Sequence, residues 1–133
     1  MVASFSGQSP HQIDPANLFG TGRIEGDDAD EFWQAFSDKF NVELSALRPY
    51  LHYNANEPPG WRMAWGTSPD GRRLPDVPIG LSDLLAATAC GKWVMAYPDH
   101  RLKERHPILS HPGLLILVLL TIAALFLLRQ SLT

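Results

Sequence analysis

A chain of 133 residues with a net charge of −3 is long enough for one small domain and lacks the basic surplus expected of a nucleic-acid binder. Hydrophobic residues make up 45%, but many sit in the last stretch, so the rest, with 11 prolines and 10 glycines, predicts a modest, loop-rich core. The single cysteine, Cys90, excludes an internal disulfide, and the opening MVASFSGQSP has neither the basic nor the apolar part of a secretion signal.

Residues 1–22 carry Pro10, Pro15 and the run Gly20-Thr21-Gly22 with little apolar periodicity, which predicts a loose N-terminal arm. In RIEGDDADEFWQAFSDKF, Arg23 to Phe40, the residues Ala29, Phe32, Trp33, Phe36 and Phe40 fall at i, i+3, i+4, i+7 and i+11. That spacing predicts an amphipathic helix of about three turns, closed by Asn41. Its leading carboxylates, Asp27, Asp28, Asp30 and Glu31, admit three readings. A calcium loop counted from Asn17 would place Gly22 at the sharp turn and Asp28 at its end, but Phe19 and Thr21 stand where ligating carboxylates or amides are needed. A catalytic carboxylate pair fails because Asp27 and Asp28 diverge at a helix start. A helix start favours acids through its dipole and its orphan amides, with Asp28 and Glu31 at capping-box spacing.

Val42 and Leu44 read as an extended connection, followed by a short helical turn between Ser45 and Tyr53 that Pro49 limits. NEPPG, Asn56 to Gly60, breaks the chain. In WRMAWGTSPDGRRLPDVPI the residues Trp61, Met63 and Trp65 alternate with Arg62 and Ala64 before the turn-forming SPDG. The pattern predicts a β-hairpin whose return segment, Leu74 to Ile79, is kept irregular by Pro75 and Pro78. A second helix is expected from about Leu81 to Cys90, ended by Gly91, with Leu81, Leu84, Leu85 and Thr88 on its packing side. Lys92 to His106 reads as a connector from which Trp93, Val94 and Tyr97 pack back on the domain.

From Gly113 to Leu128 the chain has no charge, and its one polar side chain, Thr121, can return its hydroxyl to the backbone. This apolar run predicts a transmembrane helix over 112–129. Helical geometry gives it roughly 24 Å, so a hydrocarbon core of about 30 Å is reached only by adding residues from Ile108 onward. Arg101, Lys103 and Arg105 before the run outweigh Arg129 after it. The positive-inside bias then predicts a single-pass, tail-anchored protein with its N-terminal domain cytoplasmic and the lipid bilayer as a partner.

The chemistry-bearing residues form no reactive constellation. His100, His106 and His111 with Cys90 match no compact zinc spacing, and Cys90 lies near a helix C-terminus, which disfavours a thiolate. No nucleophile triad or phosphate-cradling glycine loop is present in the sequence, so neither enzyme activity, metal nor cofactor is expected.

Three separated motifs, GDDA at Gly26 to Ala29, Phe-Asn-Val at Phe40 to Val42 and Gly-Lys-Trp at Gly91 to Trp93, occur in order, followed by YPDHRLKER. Together they make the stretch from Leu18 to Arg105 resemble the bacterial acyl-carrier-like family known as domain of unknown function number 1493. The resemblance implies a small helical scaffold related to acyl carrier proteins, whose phosphopantetheine serine would fall at Gly26. Glycine has no nucleophile, and Ser37 lies far from the helix start, so the resemblance implies a repurposed scaffold.

The expected fold is therefore mainly α (α+β): an acyl-carrier-like helical domain at 23–100 with a β-hairpin insert, a juxtamembrane connector at 101–111 and one C-terminal transmembrane helix. The expected function is a membrane-tethered, non-catalytic interaction or adaptor module. Its docking face for an unidentified basic protein partner is Asp27, Asp30, Glu31 and Asp38. The alternative is an acyl- or lipid-handling protein that uses another site.

Overall fold

The computed structural model describes residues 1–55, 62–105 and 112–131. NEPPG, Trp61, His106 and His111 lie outside them. The described elements are α1 (Val2–Ser6), a 3-10 turn (Pro10–Gln12), α2 (Leu18–Gly22), α3 (Gly26–Phe40), a second 3-10 turn (Pro49–Leu51), β1 (Ala64–Thr67), α4 (Leu81–Cys90), β2 (Arg101–Glu104) and α5 (Pro112–Ser131).

The central element is α3. Its apolar stripe buries Ala29, Phe32, Trp33 and Phe36, while Phe40 at its end is 38% exposed. Asn41 ends it in the left-handed conformation at φ 52°, a geometry asparagine tolerates better than most residues. The start differs from the expected Asp28 cap. The helix begins three residues earlier, with Glu25 as the N-cap and no side-chain cap bond. The tertiary bond from the Gly26 amide to the Asn54 carbonyl, at 2.9 Å, fixes the chain at this point.

Residues 1–22 do not form the loose arm expected from their prolines and glycines. The Asn17 side chain accepts from the Gly20 amide at 3.1 Å and caps α2, which brings Leu18 and Phe19 into the core. Phe19 stacks on Trp33 and Tyr53 with centroid distances of 5.1 and 5.3 Å. Its ring also meets that of Phe32 edge-on at 5.2 Å. The residue that spoils a calcium loop is thus a core anchor.

The expected hairpin over 61–79 is only half formed. The turn exists: the Ser68 amide donates to the Arg72 carbonyl at 2.8 Å, and Gly71 takes φ 86°. The return segment makes a single bridge, Thr67 to Arg73, because its prolines cannot sustain a ladder. The partner of β1 is instead β2, antiparallel, with Trp65 opposite Lys103 and Thr67 opposite Arg101. Residues 101–104, expected to be part of a connector, form an edge strand. Gly66 lets β1 lie on Leu51, since an added Cβ would stand 2.3 Å from the Leu51 Cδ2 atom.

Helix α4 runs from Leu81 to Cys90 and stops at Gly91, φ 70°. The expected packing side is rotated: Leu84 and Ala87 are buried, whereas Leu81 and Leu85 are exposed. After it, residues 91–93 pair with the extended connection at Glu43. The Glu43 amide donates to the Gly91 carbonyl at 2.9 Å, and the Trp93 amide donates to the Glu43 carbonyl at 2.8 Å. Trp93 thereby reaches the core and meets the Trp33 ring edge-on at 5.3 Å.

The fold is therefore a small mixed arrangement of short helices and a two-stranded antiparallel sheet, rather than the expected mainly α carrier-like domain with a local hairpin and a transmembrane helix. Among the described residues, no helix is long and apolar enough to cross a membrane. Within α5 the uncharged run from Gly113 to Leu128 covers roughly 24 Å, less than a hydrocarbon core of about 30 Å, and the remainder of the helix is Pro112 at one end and Arg129, Gln130 and Ser131 at the other. The single-pass, tail-anchored and membrane-localised expectation is corrected accordingly. Within α5 the Thr121 hydroxyl donates to the Val118 carbonyl at 2.8 Å, and leucines such as Leu125 and Leu127 stand exposed.

Candidate functional site

Four features carry recognisable chemistry. The first is the outer face of α3. Asp27, Asp30, Glu31 and Asp38 are all exposed and line one stripe opposite Phe32 and Phe36, as the helical repeat requires. Asp38 accepts from the Gln34 amide nitrogen at 3.0 Å. The ion pairs Arg62–Asp76 and Arg72–Asp70 involve none of the stripe. Asp28 lies in the same first turn, where the helix dipole favours it.

Gly26, where the resemblance would put the carrier serine, is buried and takes φ 52°. A side chain there is strained in the left-handed region, so glycine is required by the backbone conformation that enters α3.

The second feature is a buried polar network. His52 is 7% exposed, with Nδ1 at 2.7 Å from the Val77 carbonyl and Nε2 at 2.8 Å from the Tyr97 hydroxyl. The Tyr97 oxygen accepts from the Trp93 indole nitrogen at 2.7 Å and the Arg48 amide at 3.3 Å, so its own proton goes to His52. A carbonyl can only accept, so Nδ1 carries the imidazole proton and the ring is neutral. Burial is the main cause lowering the His52 pKa below its ordinary 6.5; Arg62 lowers it further, while the Val77 carbonyl, Asp83 and Asp76 oppose the shift. Burial likewise raises the Tyr53 and Tyr97 hydroxyls above the usual phenol range.

A pH dependence follows. The unfolded chain binds a proton that folded His52 resists, so this contribution to stability is full above about pH 6.5 and is lost as pH falls through that value toward the lowered folded pKa. The urea midpoint is expected to hold steady from about pH 8 to 7 and to drop between about pH 6.5 and 5, with a shallower drop in His52→Gln. Equal slopes in the two proteins would remove His52 from the account.

The third feature lies on the sheet. Lys103 and Arg105, expected as membrane flanks with Arg101 and Arg129, line a cavity of about 430 Å³ together with Arg62, Trp65, Thr67, Gly71 and Arg73. Arg101 pairs in register with Thr67 on the same strand as Lys103, and Arg129 lies in the last turn of α5. The flanking role falls with the membrane span. Arg62 and Arg73 were not singled out by the sequence, yet Arg101, Lys103 and Arg105 recur at every second position, which is the signature of one strand face.

The fourth is an apolar groove of about 280 Å³ between α1, α3 and α4, with Phe36, Phe40, Leu84 and Leu85 among its walls. Of the remaining expected residues, Cys90 is free and exposed at the end of α4, and His100 Nε2 lies 2.9 Å from the Tyr50 hydroxyl. Among the described residues, no group of three or more His, Cys, Asp or Glu side chains could hold a metal ion.

No protein-family model matches the chain, and neither the curated proteins nor the solved structures give a significant match. The carrier-like resemblance therefore rests on its quoted motifs alone.

Proposed function

We propose that this chain is a non-catalytic interaction module whose α3 stripe docks a basic protein partner. The carrying observation is the stripe itself: four exposed carboxylates on one face of a helix whose opposite face is held in the aromatic core. From Asp27 to Asp38 it extends about 17 Å, enough for several cationic side chains of one partner. The buried imidazole supports a non-catalytic reading, because both ring nitrogens of His52 are engaged within the fold. The likeness to the carrier-like family belongs to the same proposal, since carrier proteins use an acidic helix to meet basic enzymes.

Crosslinking of the full chain in its native cells, followed by recovery of the captured partner, tests the reading. Asp30→Lys combined with Glu31→Lys is expected to reduce recovery about tenfold or more, with wild-type capture weakening as salt rises. Recovery unchanged by the double reversal would sink the docking face.

A second reading, an acyl- or lipid-handling protein acting through another site, is favoured by the apolar groove beside α3 and α4. Its volume of about 280 Å³ is near the lower end of ligand pockets, and Phe40 and Leu85 leave apolar surface open at its rim. A mass increase on any serine after co-expression with a phosphopantetheinyl transferase would move the assignment to this reading.

A further inference from the structure

The outward face of the sheet concentrates positive charge in a chain that is acidic as a whole. Strand pleating puts Trp65 and Lys103, which pair directly, on the same face as Arg105, while Gly66 on the opposite face lies against Leu51. The Arg105 amide donates to the Met63 carbonyl at 2.7 Å, which carries the ladder one step past β2 and holds Arg105 in line with Lys103. The 68–72 turn brings Arg73 back over β1, its guanidinium 5.6 Å from the centre of the Trp65 ring.

The result is a cleft of about 430 Å³ walled by Arg62, Arg73, Lys103 and Arg105, and among the described residues no carboxylate lines it. Arg62 is committed to the fold. Its guanidinium donates to Asp76 at 2.6 Å, to the Tyr50 carbonyl at 2.6 Å and to the Ala64 carbonyl at 3.2 Å. Arg73, Lys103 and Arg105 take no part in the Arg62–Asp76 and Arg72–Asp70 ion pairs, and all three are exposed. Glu104, the acid on β2, pairs with Ala64 and so belongs to the other face.

We propose that this cleft binds the phosphate group of a phosphate-bearing small molecule. Three cations converging on one concave site repel one another until an anion enters, and a dianion relieves more of that repulsion than a carboxylate. Two guanidinium forks and one ammonium supply donors in several directions, which suits a tetrahedral oxyanion. The volume falls in the range of small-molecule sites, so an organic remainder fits beside the phosphate, and the indole of Trp65 gives it an apolar wall. The site is separate from α3, so it stands or falls independently of the docking face.

The test uses the full chain, titrated by calorimetry and by tryptophan fluorescence with inorganic phosphate and pyrophosphate, and by sedimentation with phosphatidylcholine vesicles with and without phosphatidic acid. Saturable binding of pyrophosphate with a Kd of about 1 mM or tighter is expected, with a fluorescence response that Trp65→Phe removes. Lys103→Ala with Arg105→Ala, and separately Arg73→Ala, should each weaken binding about tenfold or more, while Lys39→Ala on α3 leaves it unchanged. Circular dichroism verifies the fold of each variant, and the single Lys103→Gln substitution serves if the double variant is unfolded. Selective sedimentation with the phosphatidic acid vesicles would also support the site and would identify a lipid headgroup as the phosphate source. Binding indifferent to all these substitutions, no binding in either arm, or uptake of a short RNA without any small phosphate would each overturn the proposal.

Discussion

Phe32→Ala is expected to destabilise the domain by about 3–5 kcal/mol, a large share of the roughly 5–15 kcal/mol that holds a small domain folded. Phe32 has no exposed surface and sits where four aromatic rings converge: Phe5 at 5.6 Å, Phe19 at 5.2 Å, Trp33 at 5.2 Å and Phe36 at 6.0 Å. Those neighbours come from α1, α2 and α3, so the cavity left by truncation opens at the junction of three elements. Alanine keeps helix propensity, which confines the loss to packing and hydrophobic transfer. Urea titration followed by tryptophan fluorescence gives the answer. A loss below about 1 kcal/mol would mean that this cluster collapses freely around the truncated side chain.

The second large effect is expected from Tyr97→Phe, at about 2–4 kcal/mol. Removing one oxygen takes the partner from the Trp93 indole, the His52 Nε2 atom and the Arg48 amide together, and the first two belong to buried residues. A buried polar atom left without a partner costs more than an ordinary hydrogen bond contributes, because its desolvation is no longer offset. Phenylalanine preserves the ring contact with His52, at 5.4 Å between centroids, so packing changes little. A variant as stable as the parent would show that water replaces the hydroxyl.

The elements that were legible in the sequence are those whose signals are local. The α3 stripe from Ala29 to Phe36 and the end at Asn41 follow from helical spacing and one residue suited to positive φ. Helix α4 was legible for the same reason, being bounded by Gly80 and Gly91. Its buried face was not, because Leu81, Leu84 and Leu85 are equally apolar and only packing into the shared core selects Leu84 and Ala87. Phe19 was hidden by its setting, since a lone aromatic among glycines has no periodic company. Strand β2 was hidden by charge: RLKE is exposed throughout, so no apolar alternation marks it, and its partner lies more than thirty residues back. The tail illustrates the opposite error. Its apolarity is plain in composition, but spanning depends on length, and the run from Gly113 to Leu128 is short.

The candidate sites divide in the same way. The carboxylates of α3 share one helix face and could be grouped from spacing alone. The cationic cleft joins Arg62 and Arg73 to Lys103 and Arg105, which requires knowing that β1 pairs with β2. The network at His52 gathers Arg48, Val77, and the pair Trp93 and Tyr97 from three separate stretches, and no linear motif announces it.

The pairing of β1 with β2, and of Glu43 with Lys92, has a consequence for the order of assembly during synthesis. Helix α3 can form as soon as it emerges, but Trp93, which packs on its Trp33 ring, arrives well after it, and the strand at Arg101–Glu104 that completes the sheet later still. Closing such long loops makes the final step a slow one by topology. Until then the nascent chain carries the Phe32, Trp33 and Phe36 stripe partly uncovered, which makes this interval the period of greatest exposure to aggregation and of greatest dependence on chaperones.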